Sequence, residues 1–136
     1  MRMQEPDGGR REDGVKFWGH WNDDGFGSQY ALVQYSGMGE EIKPADARPG
    51  DFVNISWTSG LGHSAIFLCY LTDETGAKRM LYWSSQPGTN GLGDQSSPLE
   101  KIKEVKFVRL THPEKVFTFD PGKNVDRKVP GDKIEW

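Results

Sequence analysis

The sequence contains one cysteine, Cys69, among its 136 residues. A single cysteine excludes a framework of internal disulfide bonds and any zinc site that is built from several cysteines. Long apolar runs are also missing, and no stretch approaches the ~18 residues that a membrane-spanning helix needs. Residues 1–14 are polar and lack the apolar segment of a signal peptide. We therefore expect no membrane span, and the localisation is left unknown.

An excess of positive charge is absent as well. The formal net charge is -3 at pH 7, whereas proteins that bind nucleic acid or anionic lipid usually carry a basic patch. We therefore expect no nucleic-acid partner. The three histidines, His20, His63 and His112, do not share the spacing of a metal site, so we predict no metal and no cofactor.

The length of the chain fits one domain with a small core, since aromatic residues make up 12% of the sequence. Residues 1–14 are charged and rich in glycine, which predicts a disordered start. Residues 15–113 carry the patterned segments and are expected to form the domain. Residues 114–136 are mostly polar and are expected to form an extension on its surface.

Four segments have the pattern of strands. One of them alternates apolar and polar residues, which predicts a half-buried strand. Another, which begins at His63, is almost wholly apolar, and this predicts a central strand with both faces covered. The four predicted strands are Asp51–Trp57, His63–Leu71, Arg79–Ser85 and Glu104–Thr111.

A short helix is predicted ahead of these strands. Phe26, Tyr30 and Val33 recur at the spacing of one helical face, and Ser28–Tyr35 is expected to be the helix. The expected fold class is α+β, with a short N-terminal helix packed on an antiparallel, four-to-five-stranded curved sheet or half barrel. Two regions between the elements are interpreted as a linker and a long loop, Glu40–Ala47 and residues 86–98.

His63 is the strongest catalytic candidate. It opens a strand directly after a glycine-rich loop, and a histidine there can take a proton from a thiol and pass it to a leaving amine. A catalytic histidine needs a polar partner that orients its ring. A hairpin turn near Thr75 would place Gln86 opposite His63, with Ser84 two residues earlier on the same face. We predict Gln86, and after it Ser84, as that partner.

Structural explanations stay open for these residues. His63 would then be a partly buried histidine that bonds a backbone carbonyl, and Ser84 and Gln86 would belong to a polar loop. Cys69 lies six residues beyond His63, about 20 Å along a strand. Its apolar neighbours predict a buried, inert thiol. Ser28 has the right order for a replacement nucleophile, but a helix cap explains it better.

Two short motifs resemble the second half of a papain-like cysteine peptidase of the NlpC and CHAP group. They are Pro49-Gly50-Asp51, a type II turn that starts a strand, and Gly62-His63-Ser64-Ala65-Ile66-Phe67-Leu68. The resemblance covers about residues 45–112. It implies a helix with the nucleophilic cysteine at its N-terminus, packed on an antiparallel sheet that bears the histidine. It also implies His63 as the base, Gln86 or Ser84 as its partner, and cell-wall peptide amide bonds as the substrate class.

The nucleophile of this family has no counterpart here, because no cysteine precedes His63. One expectation is an incomplete chain whose upstream part would hold the cysteine helix. The other is a domain that lost the cysteine and only binds a peptide, a glycan or a peptidoglycan fragment. Its cleft would lie beside His63 and Trp83, roofed by Pro87–Asp94. In either case we predict little or no hydrolysis by this chain alone, and the family alone suggests an extracytoplasmic location.

Overall fold

The apolar segments of the chain assemble into one six-stranded antiparallel sheet in a computed structural model, which describes residues 29, 30, 33, 37–117 and 131–135. The order across the sheet is β1-β6-β2-β3-β4-β5. The strands are β1 (Gly39–Ile42), β2 (Phe52–Trp57), β3 (Gly62–Thr72), β4 (Lys78–Gln86), β5 (Gly91–Pro98) and β6 (Ile102–Leu110). Short 3-10 turns lie at Pro44–Asp46, Pro87–Thr89, Leu99–Lys101 and Pro113–Phe117.

The predicted α+β class, with a short N-terminal helix on a curved sheet or half barrel, is wrong. The described residues are mostly strand, and they contain no helix of seven or more residues. Of the predicted helix Ser28–Tyr35, only Gln29, Tyr30 and Val33 are described, as single helical positions, and the rest lies outside the described residues. The described part of the chain is therefore a mainly β structure.

Two of the six strands lie in regions that the sequence analysis interpreted as connections. β1 falls in the supposed linker, and β5 falls in the supposed loop over residues 86–98. The sequence of β5 is rich in glycine and serine and has no β-branched or aromatic residue, so its strand propensity is low. It is a strand because it pairs with β4 at all eight of its positions, from Gly91 opposite Gln86 to Pro98 opposite Arg79.

One face of the sheet, which we name the core face, holds the main apolar cluster. Successive side chains of a strand point to opposite faces, so alternate residues of neighbouring strands meet there. At its centre, the ring of Phe67 meets Phe107 edge-on at 5.3 Å between centroids and Tyr70 at 4.9 Å. The buried members of the cluster are Ile42, Val53, Ile55, Ala65, Phe67, Met80, Tyr82, Val105 and Phe107.

The prediction that both faces of the His63 strand are covered is wrong. Within β3 only Ala65 and Phe67 are buried, and both lie on the core face. The opposite face of β3 is covered only in part, since Ser64 is exposed and Ile66 is half-buried. Gln29 donates from its side-chain amide to the carbonyl of Ala65 on β3 at 3.2 Å. A register shift between Phe67 and Cys69 further interrupts the pairing of β3 with β4.

A buried lysine organises the opposite face. Lys106 has only 3% of its surface exposed, and its Nζ forms ion pairs with Glu41 and, at 3.5 Å, with Asp132. The same Nζ lies 5.7 Å from the centre of the Tyr30 ring, and the Tyr30 hydroxyl donates to Glu41 at 3.0 Å. We name these four residues the Lys106 cluster. It joins β1, β6, Tyr30 and the segment 131–135 on one face.

The turn before β2 has the type II geometry that its sequence predicts. The backbone N–H of Asp51 donates to the carbonyl of Arg48 at 3.0 Å, and Gly50 has a φ of 98°. Any L-residue at Gly50 is strained by this φ.

We therefore expect Gly50→Ala to lower the free energy of unfolding by about 1 kcal/mol. No atom lies within 4 Å of the added Cβ, so backbone strain is the only cost. Urea denaturation measures the loss. Gly62→Ala is the control, since its Cβ would lie 3.6 Å from the nearest atom, an ordinary contact. Equal stability of the two variants would contradict the strain argument.

No helix among the described residues is long and apolar enough to cross a membrane. This agrees with the expectation from the sequence that the chain has no membrane span.

Candidate functional site

A pocket of about 370 Å³ opens on the core face where β2, β3, β4 and β5 come together. Trp57 of β2 and Tyr82 of β4 supply aromatic walls, with 6.4 Å between their ring centroids. His63 of β3 lines the same pocket and meets the Tyr82 ring edge-on at 5.9 Å. An aromatic pocket with a few convergent polar groups is the usual form of a small-ligand site.

The polar groups of the pocket come from the outer strands and the turns. Gln95 faces the pocket from β5, because it pairs with Tyr82 across the β4–β5 ladder. Gln86 lines the pocket from the end of β4, and Lys101 lines it from the turn before β6. The backbone N–H of Thr58 donates to the Lys101 carbonyl at 2.9 Å, which ties two walls together.

Three side chains form a hydrogen-bonded series inside this site. His63 Nε2 lies 2.8 Å from Ser84 Oγ, and the Ser84 hydroxyl donates to Gln86 Oε1 at 3.0 Å. A hydroxyl has one proton, so its bond to Gln86 leaves Ser84 Oγ as the acceptor for His63 Nε2–H. In the neutral ring the lone pair is then on Nδ1, which has no hydrogen-bond partner among the described residues.

The structure thus brings together the three residues that the sequence analysis selected, although their hydrogen bonds connect them in a different order. Ser84 contacts His63 directly, whereas Gln86 reaches it through Ser84. The pairing of β3 with β4 has the register that was predicted, as in Ile66 opposite Trp83, but the ladder ends at this pair. Beyond it, a direct pairing of His63 with Gln86 does not form. The catalytic roles of the three residues stay predictions.

Ser84 is a supporting residue of the site and does not line its cavity. Its side chain is buried, with 6% of its surface exposed, and it lies behind His63. A hydroxyl in that position can fix the tautomer and the orientation of the ring. It is poorly placed to meet a ligand itself.

Cys69 corrects one prediction. It was expected to be a buried thiol, and the structure shows it exposed. Cys69 pairs with Leu81, whereas Tyr82, the next residue of β4, lines the pocket, so the thiol faces away from His63. The six-residue separation adds about 20 Å along the strand. Cys69 therefore cannot act with His63.

The predicted position of Trp83 beside His63 is also wrong. Alternation along β4 places Tyr82 on the core face and Trp83 on the opposite face, where 37% of its surface is exposed. The predicted roof is present in part, since Pro87 and Gly88 line the pocket. Ser28 and His20 lie outside the described residues.

Sequence reasoning missed the contributions of Gln95 and Lys101. Gln95 lies on β5, which was interpreted as a loop, and nothing in the local sequence marks Lys101. One pattern could have revealed β5. Asn90 and Gly91 both have positive φ, 51° and 122°, and an Asn-Gly pair between two strands is a strong indicator of a hairpin.

A second cavity, of about 350 Å³, is a weaker candidate for a ligand site. It is lined by Pro44, Ala45, Tyr70, Ile134 and Glu135. The Tyr70 hydroxyl already donates to the Pro44 carbonyl at 2.9 Å, and burial raises the pKa of Tyr70 above its usual range. This cavity therefore has few free polar groups to orient a ligand.

The described residues do not contain a group of three His, Cys, Asp or Glu side chains that could hold a metal ion. His112 instead bonds the carboxylate of Glu114 at 3.0 Å on the surface. The backbone N–H of Glu114 and, after it, this contact lower the pKa of Glu114. The His63 pocket is the best-formed candidate site. The chain matches no protein-family model, no curated protein and no solved structure.

Proposed function

We propose that this chain is a binding module that holds a glycan fragment in the His63 pocket. The observation that carries the proposal is the combination of aromatic walls with side-chain amides in one cavity of about 370 Å³. The half-buried ring of Trp57 can cover the C–H face of a sugar ring, with the buried ring of Tyr82 behind it. The amide of Gln95, which is exposed, can donate to and accept from the hydroxyl groups of the sugar.

The described residues place no nucleophile whose proton is directed to His63, and this supports binding over catalysis. A covalent amidase mechanism needs a nucleophile within hydrogen-bond reach of the base. Cys69 is the only cysteine of the sequence, and it is exposed on the face away from His63. The hydroxyl of Ser84 donates to Gln86, so its proton is not directed to His63.

The test is a calorimetric titration with two probes, tri-N-acetylglucosamine and the peptide Ala-Glu-Lys-Ala. We expect saturable binding of the sugar. Trp57→Ala should weaken it at least about tenfold, because a stacked aromatic wall contributes about 1.4 kcal/mol or more. Trp83→Ala is the matched control, since Trp83 lies on the opposite face of the sheet, and it should bind as the unmodified protein does.

Trp57 also packs against the core cluster, so Trp57→Ala can lose binding because it unfolds. A second variant tests the pocket without this risk. Gly88→Leu adds a side chain that points at Gln95 inside the pocket, and the three atoms nearest to its Cβ all belong to the Gln95 side chain, at 3.4 Å or more. It should block the sugar while thermal unfolding stays unchanged. Binding only of the peptide would replace the glycan with a peptide ligand, and binding of neither probe would overturn the proposal.

A papain-like amide hydrolase remains a second candidate, supported by the His63–Ser84–Gln86 series. That series fixes a histidine ring through Nε2 and leaves Nδ1 without a partner among the described residues, as a general base requires. The nucleophile would have to come from elsewhere. Mass spectrometry of the same peptide probe after incubation tests for hydrolysis by this chain alone. We expect an intact peptide, and cleavage that His63→Ala abolishes would favour the hydrolase over the binding module.

A further inference from the structure

Lys101 is the one Lys, Arg, Asp or Glu among the described residues that line the His63 pocket. Neither Asp nor Glu lines the cavity in the described part of the chain, although the sequence has 20 acidic residues against 17 Lys and Arg. The pocket is therefore a locally cationic site in an acidic protein.

From this we infer that the ligand of the pocket carries a carboxylate, which Lys101 binds. The inference rests on the proposed function and narrows it to an acidic ligand. Lys101 is exposed and forms no ion pair with any described residue. By contrast, Lys106, Arg79 and Arg109 all have carboxylate partners.

The backbone around Lys101 holds it in place for this role. Lys101 ends the turn Leu99–Lys101, and its carbonyl accepts the N–H of Thr58 at 2.9 Å. Lys101 thus lines the cavity together with Thr58 and Ser59, whose hydroxyl groups can donate to a ligand. Hydrogen-bond donors next to an ammonium group form a suitable receptor for a carboxylate.

A second observation concerns Gln86, another residue of the pocket lining, whose side-chain amide has a donor without a partner. Gln86 Nε2 is buried and has no hydrogen-bond partner among the described residues. A buried amide without a partner is costly, and such groups in native proteins usually meet a ligand or an ordered water. Gln86 lines the cavity, so a rotation of its side chain that breaks the bond from Ser84 would turn this amide toward an oxygen-rich ligand.

A carboxylate fits the site better than a phosphate group does. The lining holds one lysine and no arginine, whereas phosphate sites typically combine several positive groups or bidentate arginine contacts. A single ammonium matches a monoanion. Phosphate-bearing probes should accordingly gain no advantage over carboxylate-bearing ones.

The experiment compares N-acetylmuramic acid with N-acetylglucosamine, which share a ring and differ by a carboxyl-bearing ether. We expect the acid to bind about 1.5- to 5-fold more tightly, the range that an exposed ion pair gives. Lys101→Gln should remove the difference, and 0.5 M NaCl should reduce it. Lys103→Gln, at an exposed lysine that does not line the pocket, should retain it.

A peptide pair identifies the source of the carboxylate. Acetyl-Ala-Ala-Ala is titrated with a free and with an amidated C-terminus. A preference for the free acid that Lys101→Gln removes would sustain the carboxylate inference while replacing the glycan by a peptide. Equal affinity for the acidic and neutral member of both pairs, or a preference that survives Lys101→Gln, would overturn the inference and leave the binding function standing. If no probe binds, the proposed function itself fails.

Discussion

Replacement of Phe67 by alanine is expected to lower the free energy of unfolding by about 3–5 kcal/mol. Phe67 is 2% exposed and lies between the rings of Tyr70 and Phe107. Its loss would leave a cavity at the centre of the core face, which the fixed strands on either side cannot close. Domains of this size are stable by about 5–15 kcal/mol in total, so the variant would be close to unfolding.

Urea denaturation followed by tryptophan fluorescence measures this effect. The matched control is Leu61→Ala, since Leu61 has 71% of its surface exposed, and we expect a change within about 0.5 kcal/mol. The backbone bonds of Phe67 survive the substitution, including the N–H that donates to the Asp51 carbonyl at 2.8 Å. A loss below about 1 kcal/mol for Phe67→Ala would mean that the core face is not the main apolar core.

Replacement of Lys106 by methionine is expected to cost about 2–3 kcal/mol. Removing one partner of a buried ion pair typically costs about 3–5 kcal/mol, but here the carboxylates of Glu41 and Asp132 are 34% exposed and can be partly hydrated. The methionine keeps most of the length and the apolar stem of the lysine. The cost therefore reports the lost charge, which leaves two carboxylates of like sign on one face.

A double-variant cycle separates this charge effect from packing. Glu41→Gln in the Lys106→Met background removes one of the two unbalanced charges, so the double variant should lose about 1 kcal/mol less than the sum of the single variants. Lys103→Met is the control on the same strand, because Lys103 is exposed, and it should leave stability unchanged. A Lys106→Met protein as stable as the original would show that the Lys106 cluster contributes no net stability.

The strands with a clear apolar pattern were predictable from the sequence, and those without one were not. The predicted strand Asp51–Trp57 differs from the observed β2 by one residue at its start. It was predictable because its apolar and polar residues alternate, which is the pattern of a half-buried strand. β5 has no such alternation of apolar and polar residues. Its residues form a strand through backbone bonds to β4, and backbone bonds leave little trace in the side-chain pattern. The error in fold class follows from these missing strands and from the predicted helix.

The part of the candidate site that is formed by the β3–β4 hairpin was predictable from the sequence. The hairpin between β3 and β4 has a short turn, so its register could be estimated, and His63, Ser84 and Gln86 were grouped correctly in space. Lys101 could not be found in this way. It reaches the pocket through the pairing of β6 with β2, a contact between segments some 50 residues apart in the chain that no local pattern encodes.

The strand order also implies a sequence of assembly for the chain. β2, β3, β4 and β5 are successive both in the chain and in the sheet, so short connections can close them early. β6 instead enters between β1 and β2, and pairs Gly39 with Leu110 across most of the described chain. Closing so long a loop is entropically costly and slow. The bridge between Val105 and Asp132 needs β6 in place, so the segment 131–135, like β1, can join the sheet only after β6.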